Sequence, residues 1–302
     1  MKADTQFEKI TNNWYKRATV RYTPRIKIPS YSSDELIFPI ERSVICEHPL
    51  VKDLGKDGRS YVLTQSAYQF LYGVGLLETK FVILCCLELL HNRIEGIDNV
   101  DKLQALTVLI DEGYHAHVAL DYITQMECHS NIKPLLVPET NRNLDATKRA
   151  QDKLPKELHA DFLLLAVTLA ENTLTNEIAT IGRESDLTRT FIQLMKDHVL
   201  DEGRHSSYFI SLMKKRWPQL PADTQKLFYD ILPEFLDDFL SVDMSRKFER
   251  KVLSSVGLSQ RQVEQVIEET NEKFIKNQNN MIEKTKVRLY HLLKVMAIMN
   301  IQ

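Results

Sequence analysis

The sequence predicts an all-α protein: a four-helix bundle with one long crossover, extra C-terminal helices and an irregular N-terminal arm. Three observations predict it. The 302-residue chain has nine glycines and ten prolines, too few for the many tight turns of a strand-rich fold. Apolar segments of helical length recur from about residue 62 onward. Two near-identical pentapeptides, "DEGYH" at 111–115 and "DEGRH" at 201–205, each lie inside such a segment. Their Asp, Glu, Gly and His are individually unfavourable there.

Residues 1–61 carry prolines and β-branched residues without helical period, and are expected to form an arm with one short helix, packed on the body at 62–302. The stretch from 62 to Gly96 is apolar nearly all round, the mark of a buried central helix. A second helix is expected over 99–127, a connection over 128–142, and a short helix over 143–153. A third long helix starts at Pro155, a favourable first-turn residue, and ends near Arg183. Asp186 is the expected N-cap of the fourth, 187–216. Helices near 222–241 and 244–255 follow, then one from Ser259 to the C-terminus. The four long helices form two sequential hairpins, and each pentapeptide lies on the second helix of its pair.

Composition narrows the function. A net charge of −2 leaves no footprint for nucleic acid or an anionic membrane. Cys46, Cys85, Cys86 and Cys128 show no CxxC spacing and read as reduced thiols. The N-terminus has no apolar signal core, and no apolar run is expected to span a bilayer, so the cytoplasm is the expected location.

In Glu-x-x-His the two side chains leave one helical face. Glu112 with His115, and Glu202 with His205, therefore make two facing two-ligand claws. A bundle completes such a site with one Glu from the other helix of each hairpin. On the third helix, Glu171 lies within roughly 5 Å of the height of Glu202, whereas Glu177 misses by roughly 13 Å. On the first helix, Glu78 and Glu88 are both within reach, with Glu78 modestly the better placed. His198 shares a stripe with Glu202 and His205, so a third imidazole is aimed inward; alone, it would read as a core histidine. Four carboxylates (Glu78, Glu112, Glu171, Glu202) would balance two divalent cations, and burying them bare would cost several kcal/mol each. Carboxylate and imidazole ligands without thiolate suit iron or manganese. Asp111 and Asp201 are placed to accept the free N–H of a ligating imidazole on a neighbouring helix. Gly113 and Gly203, each costing about 1 kcal/mol in a helix, are expected to serve close helix approach or room beside the metals.

With this pattern the chain resembles the ferritin-like dimetal-carboxylate proteins, and among them the p-aminobenzoate N-oxygenase family of the aureothin and chloramphenicol pathways. The feature that sets this branch apart is H-x3-E-x-x-H, here His198, Glu202 and His205 in "HVLDEGRH". The separation of Glu78 from Glu112, 34 positions, matches the family's order and favours Glu78 over Glu88. The resemblance covers 62–216 fully and the flanks loosely. It implies a non-haem diiron N-oxygenase that binds O2 and oxidises an amine to hydroxylamine, nitroso or nitro. The amine is aryl or amino-acid-derived, and in some members carrier-bound. No flavin, nicotinamide or iron–sulfur motif is present, so electrons are expected from an external donor: a reductase, a chemical reductant or the substrate. A homodimer is expected. Arg288 is the candidate cation for a substrate carboxylate, and Tyr72 a candidate pocket residue. The competing readings are a diiron oxidase acting on carbon and an iron-storage protein.

Overall fold

The computed structural model describes residues 2–299. The N-terminal arm holds α1 (Lys2–Arg17) and α2 (Thr19–Tyr22), two 3-10 turns, and α3 (Pro49–Lys52). The arm is thus more helical than the sequence suggested, because α1 and α2 dock along the second bundle helix and gain order from that contact.

The first bundle helix starts at Gly55, seven residues earlier than expected. α4 (Gly55–Leu77) runs through a π-helical turn at Glu78–Val82 into α5 (Ile83–Leu90). It stops before the expected Gly96, since Asn92 takes a left-handed φ of 58°. By length and composition Gly55–Leu90 could cross a membrane, which corrects the expectation that no run approaches that length. Here it is a bundle helix with the Glu78 carboxylate at its centre. It is also less central than expected: Leu84 and Leu87 are exposed.

α6 (Asn99–Ser130) begins at an Asp98 capping box, which satisfies its first free N–H groups. It ends at Asn131, φ 57°. The connection carries α7 (Arg142–Gln151), and α8 (His159–Ile181) follows after one 3-10 turn. α8 is buried at every position from Asp161 to Glu171, and so takes the central place expected of the first helix. α9 (Arg189–Arg216) is capped at Thr188 and not at Asp186. The arm explains this: Thr188 N–H donates to Leu36 O, pairing Leu187 with Leu36, while Asp186 accepts from Ser185.

α10 (Ala222–Phe239), α11 (Lys247–Ser255), α12 (Gln260–Glu269) and α13 (Asn271–Val295) complete the chain. The single last helix expected from Ser259 is two, broken at Thr270. Arg246 reaches in there, donating to Ile267 O and Thr270 Oγ1, and so occupies a backbone carbonyl that the next turn of a continuous helix would use.

α4–α5 pairs with α6, and α8 pairs with α9, as the two-hairpin plan requires. The apolar core forms two clusters. One lies around Phe81, Val108, Leu165 and Phe209, the other around Leu71, Ala119, Leu174 and Met195. Between them, at mid-height on all four helices, lies a band of buried carboxylates and imidazoles.

Candidate metal centre

Seven buried residues make up the band: Glu78, Glu112, His115, Glu171, His198, Glu202 and His205. Helical spacing puts Glu112 with His115, and His198 with Glu202 and His205, on the inward faces of α6 and α9. The π turn begins at Glu78. Such turns recur at functional sites, and the Glu78 carboxylate here is fully buried.

The side chains converge. His198 Nε2 lies 3.1 Å from both Glu78 Oε1 and Glu202 Oε1. His205 Nδ1 is 2.8 Å from Glu112 Oε1 and 3.5 Å from Glu202 Oε1. His115 Nδ1 is 3.5 Å from Glu202 Oε1, 3.6 Å from Glu112 Oε2 and 3.9 Å from Glu78 Oε1. Two groups of potential ligand atoms, each within 4.8 Å of one another, result: Glu112, His115, Glu202 and His205; and Glu78, His115 and His198. Glu171 stands outside both groups yet beside Glu202 and Glu112, whose charges act on it. The runners-up lie elsewhere. Glu177 pairs with Arg42 at 2.5 Å, and half-buried Glu88 belongs to neither group.

All seven residues carry at least one buried oxygen or nitrogen without a hydrogen-bond partner. Orphaned buried polar atoms are rare, and here they point at common positions. Burial pushes the Glu78 carboxyl up to about 7, against the pull of His198. Burial and the neighbouring Glu202 and Glu112 hold Glu171 well above the carboxylate range. Burial acts upward on Glu202 too, but His198 and His205 overcome it and hold this carboxyl well below its usual range. Likewise His115 and His205 are raised despite burial, by Asp201 and Glu112 respectively among others. Metal ions bound here would take the place of the protons that these crowded carboxyl and imidazole groups otherwise hold, and a carboxylate and imidazole donor set without thiolate fits two iron or manganese ions.

The two aspartates cross the bundle as a pair. Asp201 Oδ2 lies 3.1 Å from His115 Nε2, and Asp111 Oδ2 lies 3.2 Å from His205 Nε2. An ionised carboxylate can only accept, so each imidazole donates from Nε2 and turns Nδ1 to the band. Arg204 donates to both aspartates. Thr19 donates its backbone N–H (3.2 Å) and its hydroxyl to Asp201. Against burial, His115 first, then the Thr19 hydroxyl and the Arg204 charge, hold the Asp201 carboxyl at about 2. Trp14 donates its indole N–H to Asp111 at 3.0 and 3.1 Å. Trp14 and Thr19 were missed from the sequence because nothing local marks a contact spanning 97 or 182 residues. Gly113 and Gly203 do not serve close approach within the chain: a Cβ on either would meet nothing within 4 Å.

A cleft of about 920 Å³ opens beside α4, α8 and α13. Arg288 lines it, with its Nε buried and unpartnered, as are Gln69 Oε1 and Gln278 Oε1. Burial lowers the Arg288 pKa. Tyr72 lies half-buried against the arm-side core cluster and does not line the cleft. A second, much smaller apolar pocket touches His115 and His198, with Leu71, Val74, Val118 and Leu194 in its walls.

No curated protein matches the chain. The family model for p-aminobenzoate N-oxygenase AurF matches residues 5–291, the arm and C-terminal helices included. Its members are oxygen-dependent diiron N-oxygenases, and the buried Glu/His band is compatible with a dimetal site. The chain belongs to the p-aminobenzoate N-oxygenase AurF family.

Proposed function

We propose that Glu78, Glu112, His115, Glu171, His198, Glu202 and His205 hold the two iron ions with which this N-oxygenase oxidises an amine nitrogen. The carrying observation is that every one of the seven offers a buried, unpartnered oxygen or nitrogen to the same band. When bound, the iron pair supplies the redox chemistry of O2. The protein supplies the rest. Four carboxylates offset the charge of two divalent ions. Asp111 and Asp201 fix the tautomer and ring orientation of His205 and His115. The apolar clusters above and below exclude water from the reacting centre.

The cleft, whose walls include none of the seven band residues, offers polar groups for an amine that carries an anionic group. Arg288 offers the partner for a carboxylate, and Gln69 and Gln278 offer unused carbonyl oxygens for N–H or O–H groups. Tyr72, away from the lining, would act only by supporting α4.

A homodimer is supported by a stripe of exposed residues on α6: Leu103, Leu106, Ile110, Gly113, His117 and Leu120. They recur at the three-and-four spacing of a coiled-coil seam, beside Leu84 and Leu87. Gly113 within that stripe suits close approach by a second copy. Unpaired Cys46, Cys85, Cys86 and Cys128 support a reducing, cytoplasmic setting. An external reductase supplies electrons.

The family match does not favour oxidation at carbon or iron storage. The test is product analysis. Iron-loaded protein given a chemical reductant, O2 and p-aminobenzoate is expected to yield the hydroxylamine, nitroso or nitro product. Oxidation of ring carbon with the nitrogen untouched would contradict the reading.

A further inference from the structure

The two aspartates have the same partner type on the inner side and different ones on the outer. Asp201 ends in Thr19, a backbone amide and a hydroxyl. Asp111 ends in the indole of Trp14, half-buried on α1. Either donor would orient an aspartate, but only the indole extends the chain of contacts with a π system. Trp14 Nε1, Asp111 and His205 Nε2 form an unbroken hydrogen-bonded line, with steps of 3.0 and 3.2 Å, from the arm to a candidate metal ligand.

The segment that follows that indole is strongly basic, and the exposed acid Glu8 lies on the preceding turns of α1. Between Trp14 and Lys27 there are five basic residues (Lys16, Arg17, Arg21, Arg25, Lys27) and no acidic one, in a protein of net charge −2. All five are exposed. Arg25 is engaged by Asp121. The Arg21 guanidinium lies 4.7 Å from the Tyr15 ring centre and 5.7 Å from that of Trp14, so a positive charge sits over both rings. Tyr15 and Tyr22 are each more than half exposed. Of the acids contributed by the helices beneath, Asp111 and Asp201 are taken up by Trp14, Thr19 and Arg204, Asp121 by Arg25 and Gln125, and Asp197, beside Thr19 and Thr23, by Gln193. Exposed aromatics among cations are the composition of a protein-binding patch for an acidic partner.

We propose that the outer face of α1 and α2 docks an acidic one-electron carrier protein, and that Trp14–Asp111–His205 carries its electrons to the metal centre. The proposal rests on the reading that the seven-residue band holds a redox-active metal pair. Two successive transfers balance the step. Each leaves one carrier molecule oxidised by one electron, and the two together take two trivalent ions to the divalent state. The indole is a bridge that ends in its starting oxidation state, and no covalent bond forms or breaks.

The experiment uses the full chain and an acidic [2Fe–2S] ferredoxin as the probe. First, binding of the ferredoxin to metal-free protein is measured against salt. Wild type is expected to bind more weakly as salt rises, and Lys16→Glu/Arg21→Glu to bind about tenfold more weakly than wild type at low salt. Second, iron-loaded oxidised protein is reduced anaerobically, by reduced ferredoxin or by dithionite, and followed by its visible absorption. The charge-reversal variant is expected to lose ferredoxin-driven reduction and keep reduction by dithionite. For Trp14→Leu the ratio of the ferredoxin-driven to the dithionite-driven rate is expected to fall about tenfold; Trp14→Tyr, which keeps an aromatic ring, is expected to retain most of it. Wild-type ferredoxin binding by the charge-reversal variant overturns the docking face. An unchanged rate ratio in Trp14→Leu overturns the route. Failure of wild type to load metal would instead defeat the underlying reading, while the binding measurement would still decide the docking face.

Discussion

Asp201 on α9 reaches across to His115 on α6, with Oδ2 3.1 Å from Nε2, and Asp111 on α6 returns the contact to His205 on α9 at 3.2 Å. The exchange ties the two claw helices together through the backs of their imidazoles and aims both Nδ1 atoms at the same band. Asp111→Asn or Asp201→Asn is expected to weaken metal binding about 10- to 100-fold, since an amide supports the imidazole less well. Competition against a chelator measures this. Affinity equal to wild type in both variants would remove the aspartates from the site's design.

His198 is the imidazole without a counterpart in the first pentapeptide. It stacks on His115, ring centres 4.1 Å apart, and approaches Glu78 and Glu202 at 3.1 Å each. His198→Ala is expected to fold, because the bundle's apolar clusters do not depend on it, and to hold one of the two ions at least about tenfold more weakly. Circular dichroism checks the first point and metal titration the second. Unchanged iron content and turnover would show that His198 is no ligand.

Arg288 presents an unpartnered Nε to the cleft. For a carboxylate-bearing amine, Arg288→Gln is expected to raise KM about tenfold or more by removing a charge-assisted contact, with metal content unchanged. A matched amine lacking the carboxylate is expected to show no such penalty. Equal effects on both amines would assign Arg288 a packing role.

The four thiols separate by burial. Cys46, Cys85 and Cys86 are buried and Cys128 is exposed. Burial disfavours the thiolate and pushes the Cys46 pKa up to about 11, so this thiol stays protonated and unreactive until the pH nears that value. Near pH 8, a thiol reagent on the native protein is expected to modify one cysteine, Cys128, and all four after denaturation. Rapid native labelling of Cys46 at that pH would contradict the burial of the arm contacts around it.

Much of the site was readable because an α-helix fixes which residues share a face. Spacings of three, four and seven were enough to gather Glu112, His115, His198, Glu202 and His205, and matching heights separated Glu171 from Glu177. The backs of the imidazoles were half readable: Asp111 and Asp201 followed from position, whereas Trp14 and Thr19 come from an arm whose path no local pattern dictates. The π turn at Glu78 was not readable, since it depends on one backbone hydrogen bond shifting by one residue. The same holds for helix ends set by distant partners, such as Thr270 under Arg246 and Thr188 against Leu36. The rarity of glycine in helices misled in one respect: Gly113 and Gly203 point to open space and not into the metal band.

The central claim is that the band holds a metal pair. Anaerobic reconstitution with ferrous iron, removal of loosely bound metal and quantification of iron against protein test it most directly. About two iron ions per chain are expected in wild type. At most one per chain in correctly folded protein would contradict the account.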